Sequence, residues 1–216
     1  MKKIIAASLM LIAGFVATGL FAQETFRDLV GNVKVGPVRD TAQVQVPFIV
    51  WGGDVATFYA NGGLKTQPGT IFNKLSLSMN LVPGDDFIQQ VRNYMSGESP
   101  FLRGTFHMIG MASEIIGSDP RTKGVVLFQL TWSAGDHAVA RENIKTLRDL
   151  KGAKVCLQKG GPHEGLLDDL LHDAGLSWKD VTVVWAKNLT GPDNSPAAMF
   201  KKDKSIDVCF VISPDM

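Results

Sequence analysis

Residues 153–158, 181–185 and 207–212 are three short β-rich runs, and each is separated from the next by a helical segment with its own start and stop signals. That alternation admits few folds. Between the first two runs, Leu166, Leu167, Leu170, Leu171 and Ala174 fall on one helical face, and Gly175 ends the helix. Between the second and third, Ser195 and Pro196 supply an N-cap and a proline in the first helical position. Upstream, Thr146-Leu147-Arg148-Asp149 is a capping-box-like start closed by Gly152. A strand followed by a helix and a second strand over so few residues requires parallel pairing, with helices covering both faces of an open sheet.

The N-terminal half carries a looser form of the same pattern. Residues 44–51 are β-rich and stop at Gly52-Gly53, after which Asp54 is placed to cap a helix reaching Asn61 and ended by Gly62-Gly63. Residues 75–82 are the next predicted strand, Pro83-Gly84 the turn, and Asp85 the cap of a helix carrying Phe87, Ile88, Val91, Tyr94 and Met95 at helical spacing. Residues 105–109 and 124–131 are predicted as further strands around a short helical piece at 112–116, and the second is apolar enough to be covered on both faces. The restart after Arg141 predicts two lobes, residues 23–141 and 142–216.

The chain begins Met1-Lys2-Lys3 followed by an apolar run over residues 4–17, which reads as a secretory signal peptide of residues 1–22 cut after Ala22. Removing it deletes two lysines and no acid, leaving 20 basic against 21 acidic residues. A chain so nearly neutral has no electrostatic footprint for nucleic acid. The expectation is an exported periplasmic protein, monomeric and not membrane-inserted after cleavage. Two cysteines exclude a disulfide-dense scaffold. Cys156 and Cys209 fall in strands expected to be neighbours and read as buried free thiols, with a disulfide as the alternative. His107, His137, His163 and His172 lack metal-ligand spacing, and the chain has no Cys-x-x-Cys and no Gly-x-Ser-x-Gly elbow, so no metal, cofactor or catalytic residue is expected.

The stretch from Asn143 to His163 places Ile144, Leu147, Asp149, Leu150, Lys151, Gly152 and Val155 in an Ile-x-x-Leu-x-Asp-Leu-Lys-Gly-x-x-Val run leading into a strand, a glycine-rich loop and a helix. It resembles the start of the second lobe in extracytoplasmic solute-binding proteins of ABC importers, the branch handling nitrate, sulfonates, taurine and thiamine precursors. The resemblance implies an α/β, periplasmic-binding-protein-like fold. Two open parallel-sheet lobes would close on a small solute and deliver it to a membrane permease. Members of that family continue past the point where this chain ends, so the second lobe reads as incomplete and the chain as C-terminally truncated. Two alternatives share the scaffold: a periplasmic sensor or accessory protein, and an enzyme of the thiamine-precursor type using pyridoxal phosphate, for which Lys159 and His163 are the available residues.

Ligands of open α/β sheets bind outside the carboxyl ends of the strands. The loop 158–163 follows a strand and opens a helix, so Gly160 and Gly161 are candidate backbone donors to an anionic group and His163 a candidate side-chain contact, unless the loop is a plain tight turn. Trp51, Gly52, Gly53 and Asp54 end the first long strand, with a hydrophobic plug as the alternative for Trp51 and a helix N-cap for Asp54. Trp132 and Ser133 end the predicted strand 124–131, with Asp136 and His137 close behind. Tryptophans near acids suit a cation and the glycine loop suits an anion, so the residues admit a zwitterionic or anionic organic solute.

Overall fold

A computed structural model describes residues 24–133 and 135–215. The predicted signal peptide lies outside the described residues. In chain order the elements are α1 (Phe26–Val30), β1 (Val44–Phe48), α2 (Val55–Asn61), α3 (Ile71–Lys74), β2 (Met79–Pro83), α4 (Phe87–Met95), α5 (Phe106–Ile116) and β3 (Asp136–Ala140). They continue with β4 (Lys154–Gln158), α6 (His163–Asp173), β5 (Thr182–Ala186), α7 (Pro196–Lys202) and β6 (Val208–Ile212).

The strands form two sheets. β1 and β2 pair in parallel, and the second sheet runs β3-β6-β4-β5. Within the second sheet β4 pairs in parallel with both β5 and β6, as the alternating pattern requires. β3, which no sequence pattern announced, adds an antiparallel edge to β6 and lies N-terminal to residue 142. The central strand β6 is buried at all five positions. α6 covers one face, with Leu167 and Leu171 packed on Val155, Leu157 and Phe210. α7 covers the other, with Ala197 against Cys156, Cys209 and Val211. In the N-terminal half, α4 and α5 bring Phe87, Val91, Met108 and Ala112 into a core that also takes in Leu189, beyond β5, and Ile212, the last residue of β6. That shared core joins the two halves.

Three sequence expectations are corrected here. Residues 105–109 are not a strand: the Thr105 hydroxyl accepts the Met108 N–H at 3.2 Å and starts α5, whose apolar residues reach Ile116 without a break. Residues 75–82 yield a strand only from Met79, because Thr70 caps the short helix α3 and Ser76 turns at a φ of 59°. Residues 124–131 pair with no described strand and stand in solvent, with Val125 81% and Phe128 69% exposed. No described helix is long and apolar enough to cross a membrane.

Candidate functional site

The carboxyl ends of β1, β2, β4, β5 and β6 converge between the two sheets. The loop after β1 is built around Asp54, which is 1% exposed. Its carboxylate accepts the Ile49 N–H at 2.9 Å and the Arg103 Nε–H at 3.2 Å. It therefore neither faces a ligand nor caps α2; it turns back and closes its own loop. Gly52 opens the turn that leads to Asp54. At Gly53 a Cβ would lie 2.1 Å from the Trp51 ring, so only glycine lets that indole lie flat across the turn. Trp51 packs on the core that contains Leu189 and Ile212, which is the plug alternative, and its buried indole N–H has no partner.

The loop after β2 contributes two carboxylates with different work. Asp86 caps α4 by accepting the Gln89 N–H at 3.0 Å, the task the sequence reading gave to Asp85. Asp85 accepts the Val50 N–H at 2.8 Å. Burial pushes the Asp85 carboxyl above its ordinary range, opposed by that hydrogen bond and reinforced by the nearby Asp54 charge. Across the gap, Gln158 at the end of β4 donates through Nε2 to the Asp85 carbonyl at 2.9 Å and to the Lys187 carbonyl at 3.3 Å, while its Oε1 is buried without a partner. Asp85, Asp86, Gln158, Lys187, Asn188 and Thr190 line a cavity of about 190 Å³ between the sheets.

The glycine loop behaves differently from the expectation. The Gly160 N–H donates to Glu164 Oε1 at 2.5 Å, and the Gly161 N–H to the Gln158 carbonyl at 3.3 Å, so both proposed anion donors are already engaged. Burial raises the Glu164 carboxyl, with the Gly160 bond and Lys159 opposing. A Cβ at Gly160 would lie 2.9 Å from Ile88, and one at Gly165 would lie 2.2 Å from the His107 ring. Here glycine lets α6 approach α4 and α5 of the first lobe. Lys159 forms an ion pair with Glu24.

His163 is fully buried at the start of α6, with its ring centroid 5.9 Å from that of Phe210. Its Nε2 lies 3.1 Å from Asp136 Oδ1, and the Ser133 hydroxyl donates to the same carboxylate. Burial would raise the Asp136 carboxyl, but the bonds from His163 and Ser133 outweigh it and hold it below its usual range. His163 thus ties α6 to β3 across the end of β6, away from solvent. Trp132 is 86% exposed and does not join the cavity.

Of the residues named from sequence, Trp51, Gly52, Gly53, Asp54, Gly160, Gly161 and His163 are brought to the seam between the lobes, where they build its walls. None of them lines the cavity. The sequence reading missed Lys187, Asn188 and Thr190. They follow β5 directly, and the strand-end rule that selected the other loops applies equally to this one.

Comparison with known proteins fits this architecture. Residues 134–206 match the family model described as NMT1/THI5 like. The matched segment is about a third of the chain. It contains β3, β4, α6, β5 and α7, together with the loop 187–190 that lines the cavity. A Haemophilus influenzae protein whose name assigns it to thiamine biosynthesis is 52% identical over 44 residues, 20% of this chain and 14% of that protein. The alkanesulfonate-binding protein SsuA from Xanthomonas axonopodis pv. citri, solved bound to MOPS, superposes with a TM-score of 0.51 at 16% identity, covering 82% of this chain and 56% of that one. The aliphatic sulphonate-binding SsuA of Escherichia coli gives a TM-score of 0.49 at 16% identity over the same shares. The chain therefore spans about half the length of the solved structures it resembles, and it has the periplasmic-binding-protein fold. The family match overlaps residues 143–163, which carry the resemblance, and the superposition bears out the fold that the resemblance implies.

Proposed function

We propose that the chain is the extracytoplasmic solute-binding component of an ABC importer, holding a small zwitterionic or anionic organic solute between lobes of residues 23–141 and 142–216. The observation that carries this reading is the cavity at the ends of β2, β4 and β5, whose lining includes Asp85, Asp86 and Lys187. A pocket with both signs of charge at strand ends suits a ligand that presents an ammonium or ring nitrogen to the carboxylates and an anionic group to the lysine. At about 190 Å³ the cavity is smaller than most small-molecule pockets and suits a compact solute. In this reading the protein is exported by residues 1–22, works in the periplasm as a monomer, and hands its solute to a membrane permease.

A receptor rather than an enzyme is supported by the engagement of the two residues that pyridoxal phosphate would need: the Lys159 amine pairs with Glu24, and the His163 ring is buried against Phe210. Calorimetric titration of the full chain with sulfonates, amino acids and aminopyrimidines tests the assignment. At least one class is expected to bind. Asp85→Asn and Lys187→Ala are each expected to weaken it about tenfold, equivalent to about 1.4 kcal/mol, with Trp132→Ala unchanged. Absence of binding across the panel by a cooperatively folded protein would overturn the reading.

A further inference from the structure

Beneath α7, away from the cavity, three sulfur-bearing side chains share one packed cluster. Cys156 on β4 and Cys209 on β6 are direct register partners in parallel strands. Their side chains therefore leave the sheet on the same face, from strands about 4.8 Å apart. Both thiols are free and buried. Met199 on α7 packs over them, with its Sδ 4.0 Å from Cys156 Sγ. Cys156 and Cys209 share their cluster with Ala186, Ala197, Ile206 and Val211, and these surroundings leave a bound cation no oxygen or nitrogen side-chain competitor from the cluster itself.

We propose that Cys156, Cys209 and Met199 form a three-sulfur site for a soft monovalent cation, with Cu(I) as its ligand class. Thiolate and thioether sulfur select Cu(I) over the harder divalent ions. Trigonal coordination with metal–sulfur bonds of about 2.3 Å sets neighbouring sulfurs about 4.0 Å apart, which is the spacing already present between Cys156 and Met199. Met199 is only partly buried, so the thioether gives the ion a route inward from the surface of α7. Binding replaces the two thiol protons: Cu(I) enters, two Cu–thiolate bonds and one Cu–thioether bond form, and two protons leave to solvent without any change of oxidation state. The site gains one net negative charge. Arg141, whose guanidinium stacks 3.9 Å over the neighbouring Phe200 ring, and Lys201 act on Cys209 with the sign that offsets this charge, while Asp215 opposes them. Because binding releases two protons, affinity rises with pH.

The test is anaerobic titration of the full reduced chain, its two thiols confirmed by alkylation and mass, with Cu(I) in the presence of a chromophoric Cu(I) chelator. The expected result is one Cu(I) retained per folded chain, three sulfur scatterers at about 2.3 Å by X-ray absorption, and tighter retention as pH rises. Met199→Leu keeps volume and fold and is expected to weaken retention at least tenfold; Cys209→Ala is expected to abolish it. Failure of the folded protein to retain Cu(I), or retention unchanged in Met199→Leu, would overturn the proposal. Both readouts are independent of solute binding in the cavity.

Discussion

Residues 124–131 in the first lobe and β6 in the second carry nearly the same chemistry: a short run of valine, leucine or isoleucine and phenylalanine with high β-propensity and no charge. Their surroundings differ. β6 lies between β3, which pairs with all five of its residues, and β4, which pairs with Val208 and Cys209, and its residues 208–211 lie in the clusters under α6 and α7. Residues 125–128 have no described strand partner and remain exposed. An apolar β-former becomes a strand when its backbone N–H and C=O groups find a ladder and its side chains find a covering layer; propensity supplies neither.

The sharpest way to break this comparison is to truncate the two phenylalanines. Phe210→Ala removes a fully buried ring from the face under α6 and is expected to cost about 3–5 kcal/mol, whereas Phe128→Ala is expected to fall within about 0.5 kcal/mol. Urea denaturation of the two variants reads the difference directly. A large loss from Phe128→Ala would show that the run is buried in solution.

The first lobe holds its own form in part through one buried charge. Asp54→Ala leaves the Ile49 N–H and the Arg103 guanidinium without their acceptor and is expected to destabilise by about 3 kcal/mol, with the loss centred on the β1 loop in hydrogen exchange. The second sheet has a weaker, pH-dependent tie. The Asp136 carboxyl lies below its ordinary value of 3.8 in the folded chain, so its contribution is complete above that value and is lost as pH falls through the folded one. Asp136→Asn is therefore expected to lower stability at neutral pH by about 1–2 kcal/mol and to flatten the acid limb of the stability curve. An acid limb unchanged in the variant would assign the sensitivity to other carboxylates.

The lobes also differ in how much of them could be read in advance. In the second, each of the three runs became a strand, and the segment after Pro162 became a helix of the expected length, because capping, helical spacing and alternation all agreed. In the first, Thr105 signalled a helix start that the β-branched and aromatic residues beside it obscured, and Leu75 and Leu77 looked strand-like although Thr70 had already capped a helix. The candidate site was legible as a location and misread in its roles. Trp51, Asp54 and His163 stand where the strand-end rule puts them, but Asp54 has Arg103 for a partner, 49 residues away, and His163 has Asp136, 27 residues away. Local sequence offers no sign of either pairing.

What the order of residues determined here is local: where helices begin and end, which runs are able to form strands, and the connection lengths that force parallel pairing in the second sheet. Each follows from backbone geometry and side-chain spacing within about ten residues. Tertiary structure alone decided which apolar run is buried, that Gly160 and Gly165 serve the approach of α6 to the first lobe, and that the loop after β5 completes the cavity. It also set two cysteines 53 residues apart side by side under one methionine. Such outcomes depend on which surfaces meet when sheets and helices close on each other, and that is a property of the whole packed chain.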